Sequence, residues 1–136
     1  MDVLFVCVHN AGRSQMAEAY FNSLAAQRGL PFRAASAGTL GGGVLNPVAV
    51  EVMEADGVSM GAQLPKALTQ ELVDSSRRIV SMGCGVDAAT CPAKFMVTED
   101  WGLDDPAGQL IGVVSRIRDE IKAKVIQLIS QIEAAG

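Results

Sequence analysis

The chain has 136 residues, of which 49% are hydrophobic and 19% are charged, so it is long enough to bury a core as a single domain over residues 1–136. Its net charge of −4 argues against nucleic acid as a partner, because phosphate contacts need clustered lysines and arginines. The sequence has no apolar run that could span a membrane and no signal-peptide pattern after Met1. We therefore expect a cytoplasmic protein with no membrane partner.

Strands and helices alternate through the first half of the sequence. Residues 3–6 form a short apolar run rich in β-formers, which predicts a strand buried on both faces. A helix follows, with Ser14 as its predicted N-cap. Residues 31–37 predict a second strand, and the pair Asn46-Pro47 predicts the start of a second helix.

The second half continues this alternation. A short helix is predicted at residues 69–72, a third strand at residues 77–82 and a fourth, shorter strand at residues 94–98. A long final helix begins near Leu110, and its inner face carries apolar residues at helical spacing, namely Val113, Ile117, Ile121, Val125, Leu128 and Ile132. The whole pattern predicts an α/β fold, an open four-stranded parallel sheet flanked by helices on both faces.

The segment Cys7-Val8-His9-Asn10-Ala11-Gly12-Arg13-Ser14 joins the first strand to the first helix. In an open parallel sheet, ligands bind beyond the carboxyl ends of the strands, and Cys7 lies at such an end. The N-terminus of the following helix favours negative charge, and with it the thiolate form of Cys7. The backbone amides of the segment and the guanidinium of Arg13 can hold a tetrahedral oxyanion beside this nucleophile.

We therefore interpret this segment as a catalytic anion-binding loop. Cys7 is the predicted nucleophile, Arg13 binds the anion, and Ser14 can donate a hydrogen bond to the thiolate. The predicted substrate-binding residues are Val8, His9, Asn10, Ala11, Gly12, Arg13 and Ser14. The alternative, a buried structural cysteine with a surface arginine, does not account for the strand, the helix and Ser14 occurring together.

Two other segments carry reactive side chains. Residues 101–108 form an acidic loop that is equally consistent with a solvated turn and with a general acid, supplied by Asp104 or Asp105. Cys84 and Cys91 do not have the spacing of a zinc site, and the chain has only 1 histidine, so no metal site is predicted. The residue pattern alone favours two unrelated small apolar residues over a disulfide relay.

Several motifs in combination resemble those of the thioredoxin-coupled arsenate reductases, within the low-molecular-weight tyrosine phosphatase superfold. The resemblance covers nearly the whole chain. It includes the loop from Cys7 to Arg13, Ser14-Gln15-Met16-Ala17-Glu18, Ser36-Ala37-Gly38, Asn46-Pro47, the Cys84/Cys91 pair and Trp101-Gly102-Leu103-Asp104-Asp105-Pro106-Ala107. It implies a phosphatase-like arsenate reductase domain, with arsenate as substrate, phosphate or sulfate as analogues and no bound cofactor.

The resemblance also implies a mechanism. Cys7 attacks arsenate while Asp105 protonates the departing oxygen. Cys84 then attacks the Cys7–arsenic adduct, so that arsenite leaves and a Cys7–Cys84 disulfide remains. Cys91 attacks Cys84, and thioredoxin reduces the resulting Cys84–Cys91 disulfide. A low-molecular-weight thiol is the alternative reductant, and it would make Cys91 less important.

The sequence departs from this family at three places, of which the first is His9, where members have a small residue. Members often have a second cysteine inside the loop, where this chain has Gly12. Some members bind a potassium ion through groups that correspond to Asn10, Glu18, Ser36 and an aspartate. The region of that aspartate here reads Leu-Pro-Lys, which argues against a potassium ion, and we hypothesise that Lys66 replaces the cation.

Two rival functions belong to different classes. A low-molecular-weight protein tyrosine phosphatase would share Cys7, Arg13 and Asp105, but such enzymes line the active-site mouth with aromatic residues, which make up only 4% of this chain. The shared loop leads us to expect a weak phosphatase side activity. A non-enzymatic anion-binding module would not need three cysteines and an Asp-Pro loop.

Overall fold

A computed structural model describes residues 1–83 and 97–135 of the chain. Within these ranges the four strands form one parallel sheet in the order β2-β1-β3-β4, which confirms the predicted fold class. The strands are β1 (Val3–Cys7), β2 (Ala34–Gly38), β3 (Arg78–Ser81) and β4 (Glu99–Asp100). The helices are α1 (Arg13–Gln27), α2 (Pro47–Ala55), α3 (Gln70–Asp74) and α4 (Ile111–Ala135).

Strand β1 lies between β2 and β3, and all five of its residues are buried. Successive side chains in a strand point to opposite faces, so Phe5 and Cys7 belong to one core cluster while Leu4 and Val6 belong to the other. The continuous apolar run reflects this position, because a central parallel strand has no solvent-facing side. The run ends at Cys7, which places the thiol at the carboxyl edge of the sheet.

Helices cover the two faces of the sheet unequally. The larger core cluster joins one face to α1, α2 and α4, with buried side chains such as Phe21, Met53 and Ile121. The smaller cluster packs Leu68 and Val73 of the α3 region against the other face. Within the two described ranges, no helix combines the length and the apolar character that crossing a bilayer requires.

Two predicted strands differ from the structure by more than one residue at an end. Strand β2 begins at Ala34 rather than at residue 31, because the Arg33 amide donates to the Asp2 carboxylate at 2.8 Å. Strand β4 comprises only Glu99–Asp100, so the predicted strand at residues 94–98 is wrong for residues 97 and 98. The Thr98 amide already donates to the Ile79 carbonyl at 2.7 Å, whereas the Ile79 amide donates to the Thr98 hydroxyl at 3.0 Å, so Thr98 adjoins the strand without belonging to it. Residues 94–96 lie outside the described ranges.

The structure corrects the predicted N-cap of α1 and confirms that of α2. Helix α1 begins at Arg13, its N-cap is Gly12, and no side chain caps it, so the prediction of Ser14 as N-cap is wrong. The hydroxyl of Ser14 is instead used in the loop that precedes the helix. Helix α2 starts as predicted, with Asn46 Oδ1 accepting from the amides of Val48 at 2.9 Å and Ala49 at 3.2 Å.

Candidate active site

A cleft of about 470 Å³ lies at the carboxyl edge of the sheet, where β1 and β3 end. The anion-binding loop, the N-terminus of α1 and residues 103–107 of the acidic loop enclose it. Its lining residues are Cys7, Val8, His9, Ala11, Gly12, Arg13, Asn46, Gly83, Leu103, Asp104, Asp105, Pro106 and Ala107. The position agrees with the general location of ligand sites in open parallel sheets.

Asn10 shapes the loop from behind the cleft. Its backbone is left-handed, with φ of 57°, and its side chain is fully buried. Asn10 Oδ1 accepts from Gln15 Nε2 and from the Lys66 amide, both at 2.9 Å. Asparagine tolerates the left-handed conformation better than most residues, so these contacts fix the turn that directs the loop around Cys7.

Gly38 at the end of β2 allows the loop to approach the sheet closely. A Cβ at this position would lie 2.5 Å from the carbonyl oxygen of Val8 and 2.8 Å from the Asn10 amide nitrogen. Both distances are far below van der Waals contact, so any side chain at position 38 would displace the loop. The Ser36-Ala37-Gly38 motif is therefore part of the support for the site.

Two hydrogen-bonding groups converge on the sulfur of Cys7. The Asn10 amide donates to Cys7 Sγ at 3.1 Å, and Ser14 Oγ lies 2.8 Å from the same atom. Because Ser14 Oγ accepts from Asn10 Nδ2 at 2.8 Å, its own proton is available for the sulfur. Hydrogen bonds to sulfur favour the charged thiolate, which is the nucleophilic form.

The Arg13 side chain is anchored along one edge and faces the cleft with the other. Its Nη1 donates to the carbonyl oxygens of Leu103 at 2.8 Å and Met82 at 3.3 Å. Its Nη2 lies 3.9 Å from Asp105 Oδ2. Two fixed carbonyls thus orient a buried guanidinium toward the anion loop, at the N-terminus of α1, where backbone N–H groups have no intrahelical acceptor.

The structure distinguishes the two candidate acids by their neighbours. Asp105 lies beside Arg13, and its Oδ1 accepts from the Ala107 amide at 2.9 Å. Asp104 turns toward α4, where its Oδ2 accepts from Arg116 Nη2 at 3.3 Å. This hydrogen bond, with the nearby Glu120 carboxylate, raises the pKa of Arg116. Both carboxyl groups line the cleft, but only Asp105 is directed at the predicted anion-binding arginine.

The predicted site residues fall into three groups according to their position in the structure. Those that line the cleft are Cys7, Val8, His9, Ala11, Gly12, Arg13 and Asp105. Asn10 and Ser14 are fully buried and support the loop from behind. Cys84 and Cys91 lie outside the described ranges, so their predicted roles stay predictions.

Sequence reasoning missed three contributors to the site. Asn46 lines the cleft as well as capping α2, and its amide donates to the Ala11 carbonyl at 2.8 Å. Gln15 Nε2 donates to Asn10 Oδ1, and Gln63 Nε2 donates to Gln15 Oε1 at 2.6 Å, so a chain of amides braces the loop. The pair Asn46-Pro47 was a detectable signal, whereas nothing local marked Gln63 as a neighbour of Gln15.

A second polar cluster lies beneath the loop. Ser36 Oγ donates to Glu18 Oε1 at 2.9 Å, and Lys66 Nζ lies 3.6 Å from the same oxygen. A potassium ion would need oxygen ligands here, but an ammonium group already faces the Glu18 carboxylate, and Asn10 Oδ1 is used by Gln15 and Lys66. These residues do not fit a potassium site.

The chain is similar throughout its length to one family of known proteins. The family whose profile matches residues 2–136 is described as low molecular weight phosphotyrosine protein phosphatase. The glutaredoxin arsenate reductase of Synechocystis sp. is 33% identical over 131 residues, covering 96% of this chain and 97% of that protein.

Two solved structures share the fold of this chain over nearly its whole length. The thioredoxin-dependent arsenate reductase of Corynebacterium glutamicum superposes with a TM-score of 0.79 at 33% identity, over 99% of this chain and 63% of that one. The YwlE arginine phosphatase of Bacillus subtilis superposes with a TM-score of 0.81 at 27% identity, over 98% and 96% of the two chains. The fold is thus common to a reductase and a phosphatase.

Proposed function

The chain belongs to the low molecular weight phosphotyrosine protein phosphatase family, and on that basis we propose that it reduces arsenate to arsenite. The observation that carries the proposal is that Cys7, Arg13 and Asp105 line the same cleft. These three side chains supply a nucleophile, an anion-binding cation and an acid. The arsenate reductases among its relatives support arsenate as the oxyanion.

Arsenate binding would rest on local charge, since the chain as a whole is acidic. The Arg13 guanidinium can form two parallel hydrogen bonds to an oxyanion, and the amides at the N-terminus of α1 can donate to the remaining oxygens. These donors offset the repulsion between a negative substrate and a thiolate. Phosphate and sulfate have the same shape and should compete for the site.

In the first chemical step, Cys7 Sγ would form a bond to arsenic. An arsenic–oxygen bond breaks at the same centre, and the departing oxygen takes a proton from Asp105 and leaves as water. Asp105 suits this role because it lies beside Arg13 at the cleft, whereas Asp104 is paired with Arg116. Acid catalysis of this kind contributes about 10²-fold to 10⁴-fold to a rate.

The electrons for the reduction would come from sulfur. The Cys84 thiolate attacks Cys7 Sγ, the sulfur–arsenic bond breaks, and its electron pair stays on arsenic, which leaves as arsenite. Cys91 then attacks Cys84, so that Cys7 is released as a thiolate and a Cys84–Cys91 disulfide remains. Two thiols of a reductant protein reduce that disulfide and are oxidised in turn.

We propose thioredoxin as this reductant, since a relative of 33% identity is a thioredoxin-dependent arsenate reductase. A relative with the same identity is a glutaredoxin arsenate reductase, so a glutathione-linked system is the alternative. Either reductant works in a compartment that keeps thiols reduced, and we therefore propose the cytoplasm as the place of reaction.

A phosphatase is the second candidate function, favoured by the similarity to an arginine phosphatase. The same nucleophile, arginine and acid could hydrolyse a phosphate ester through a phosphocysteine. However, none of the described residues that line the cleft is a phenylalanine, tyrosine or tryptophan, so the cleft lacks the large apolar rings that stack on a tyrosine side chain. We propose phosphatase activity only as a weak side reaction.

The test is an arsenate-reduction assay with thioredoxin, thioredoxin reductase and NADPH. Cys7→Ser should abolish all activity. Cys84→Ser should release no arsenite, whereas Cys91→Ser should release about one arsenite per protein and then stop, because only the last transfer is lost. Both relay variants should keep any hydrolysis of an aryl phosphate, which serves as the control for an intact loop. Full thioredoxin-linked turnover in both relay variants would exclude the relay.

A further inference from the structure

We propose that Gly12 is a positioning residue, which sets how closely the acid loop packs on the anion loop and so places Asp105. The acid loop is defined here as residues 103–107. The inference rests on the proposed function, because it assigns to Gly12 control over the acid of that reaction. It assigns Gly12 a role in addition to its place in the lining of the cleft.

The first observation is the contact between Gly12 and Pro106. A Cβ at position 12 would lie 2.9 Å from Pro106 Cγ and 3.9 Å from Pro106 Cδ. Carbon atoms in contact are normally about 3.5–4.0 Å apart, so the proline ring occupies space that only glycine leaves open. Pro106 is buried, whereas Asp104, Asp105 and Ala107 around it are exposed. The proline ring is thus where this end of the acid loop rests on the anion loop.

The second observation is that the other end of the acid loop is fixed independently. The Leu103 side chain is buried, its amide donates to the Met82 carbonyl at 3.1 Å, and its carbonyl accepts from Arg13 Nη1 at 2.8 Å. Asp105 therefore lies between two anchors, Leu103 and Pro106. Its own side chain is 62% exposed, so packing around the carboxyl group cannot hold it in place.

These contacts make the position of Asp105 depend on Gly12. The proline ring is bonded to its own backbone nitrogen, so it can change its pucker but cannot swing away from a new methyl group as a flexible side chain would. The backbone at Pro106 has to take up the rest of the shift, and Asp105 is the adjacent residue. A displacement of about 1 Å is enough to impair a proton transfer that requires hydrogen-bond distance. We expect Arg13, which the carbonyls of Leu103 and Met82 hold, to keep its position.

The experiment compares Gly12→Ala with wild type in steady-state arsenate reduction. We expect kcat to fall at least about tenfold while KM for arsenate changes less than about twofold, because proton donation is lost and anion binding is kept. In an Asp105→Asn background, Gly12→Ala should cause less than about a twofold further loss, since there is no acid left to displace. Equal losses in both backgrounds would overturn the proposal.

A second variant separates crowding from any other effect of the substitution. Pro106→Ala removes the ring that the new methyl group meets, so the Gly12→Ala/Pro106→Ala double variant should be at least about threefold faster than Gly12→Ala alone. Gly43→Ala is the matched control, because a Cβ at position 43 meets nothing within 4 Å. This control should retain wild-type kcat. No recovery in the double variant would contradict the contact as the cause.

Hydrogen exchange provides a readout that does not need turnover. Gly12→Ala should speed exchange of the Ala107 amide, which donates to Asp105, and should leave the Leu103 amide at the independently anchored end unchanged, whereas Gly43→Ala should change neither. If the wild type fails to reduce arsenate, the proposed function is wrong. Faster exchange in Gly12→Ala would still support control of the acid loop by Gly12. Unchanged exchange in Gly12→Ala would overturn the inference whatever the activity.

Discussion

Ser14 illustrates how a single hydroxyl serves the site instead of the helix that contains it. As the second residue of α1 it is fully buried, and its Oγ connects Asn10 Nδ2 with the sulfur of Cys7. The residue type is typical of an N-cap, and for this reason the sequence predicted one. The predicted contact with Cys7 is present, because the loop turns at Asn10 and brings the two side chains together.

At the same scale, Lys66 leads to a prediction about cations. Its ammonium group lies 3.6 Å from Glu18 Oε1, and our hypothesis is that it takes the place of a potassium ion beneath the loop. We expect arsenate turnover in potassium and sodium salts of equal ionic strength to differ by less than about twofold. Lys66→Gln should lower turnover in both salts, and Lys124→Gln, a lysine on α4, is the matched control. Stimulation of the wild type by potassium by several-fold would show that Lys66 does not replace the cation.

Among the elements, helix α2 depends on a cap that also borders the cleft. Asn46 Oδ1 accepts from two backbone amides of its first turn. We expect Asn46→Ala to lower the free energy of unfolding by about 1 kcal/mol, because those amides lose their acceptor. Urea denaturation measures the change. Asn46→Asp keeps a capping oxygen and should lose less than half as much, so equal losses in the two variants would rule out capping as the cause.

The elements also define what local sequence patterns could predict. Strand β1 was predictable because its short, continuous apolar run fits a strand buried on both faces, and helix α4 because its apolar residues follow the helical period. The start of α2 was predictable because Asn46-Pro47 is a specific signal. The bounds of β2 and β4 were not, since side chains of Asp2 and Thr98 take backbone hydrogen bonds there. Such competition depends on neighbours that lie far away in the sequence.

At the scale of the whole molecule, Asp56 joins three helices. Asp56 is the C-cap of α2. Its Oδ2 accepts from Tyr20 Oη of α1 at 2.7 Å and from Lys122 Nζ of α4 at 2.9 Å. The hydrogen bond from Lys122, followed by that from Tyr20, lowers the pKa of Asp56. Burial, followed by the hydrogen bond to Asp56, raises the pKa of Tyr20.

This cluster makes stability depend on pH in a defined direction. Because the folded-state pKa of Asp56 is lowered, its stabilisation is complete above the ordinary value of 3.8 and is lost as pH falls through the folded-state pKa. Asp56→Asn should cost about 1 kcal/mol in urea unfolding at neutral pH and clearly less at about pH 2.5. The control Glu120→Gln, in an exposed pair with Arg116, should cost less than about 0.5 kcal/mol. A cost for Asp56→Asn that does not change with pH would contradict the assignment.

The arrangement of the site could be predicted only in part from the sequence. The strand–loop–helix pattern was sufficient to predict Cys7 and Arg13 at one carboxyl edge, because both belong to a continuous segment. The anchoring of Arg13 by the carbonyls of Met82 and Leu103 was not predictable, since these residues are 69 and 90 positions away. The choice between Asp104 and Asp105 likewise depends on a helix, α4, that follows them in the chain.

Trp101 gives the molecule a built-in optical probe. It is the single tryptophan of the chain, it is 8% exposed, and its ring centroid lies 5.4 Å from that of Phe5 in the central strand. Only Gly102 separates it from the segment that carries Leu103 and Asp105. Its intrinsic fluorescence therefore provides a signal from directly beside that segment, so oxyanion titrations and stopped-flow traces can be recorded on the unlabelled protein.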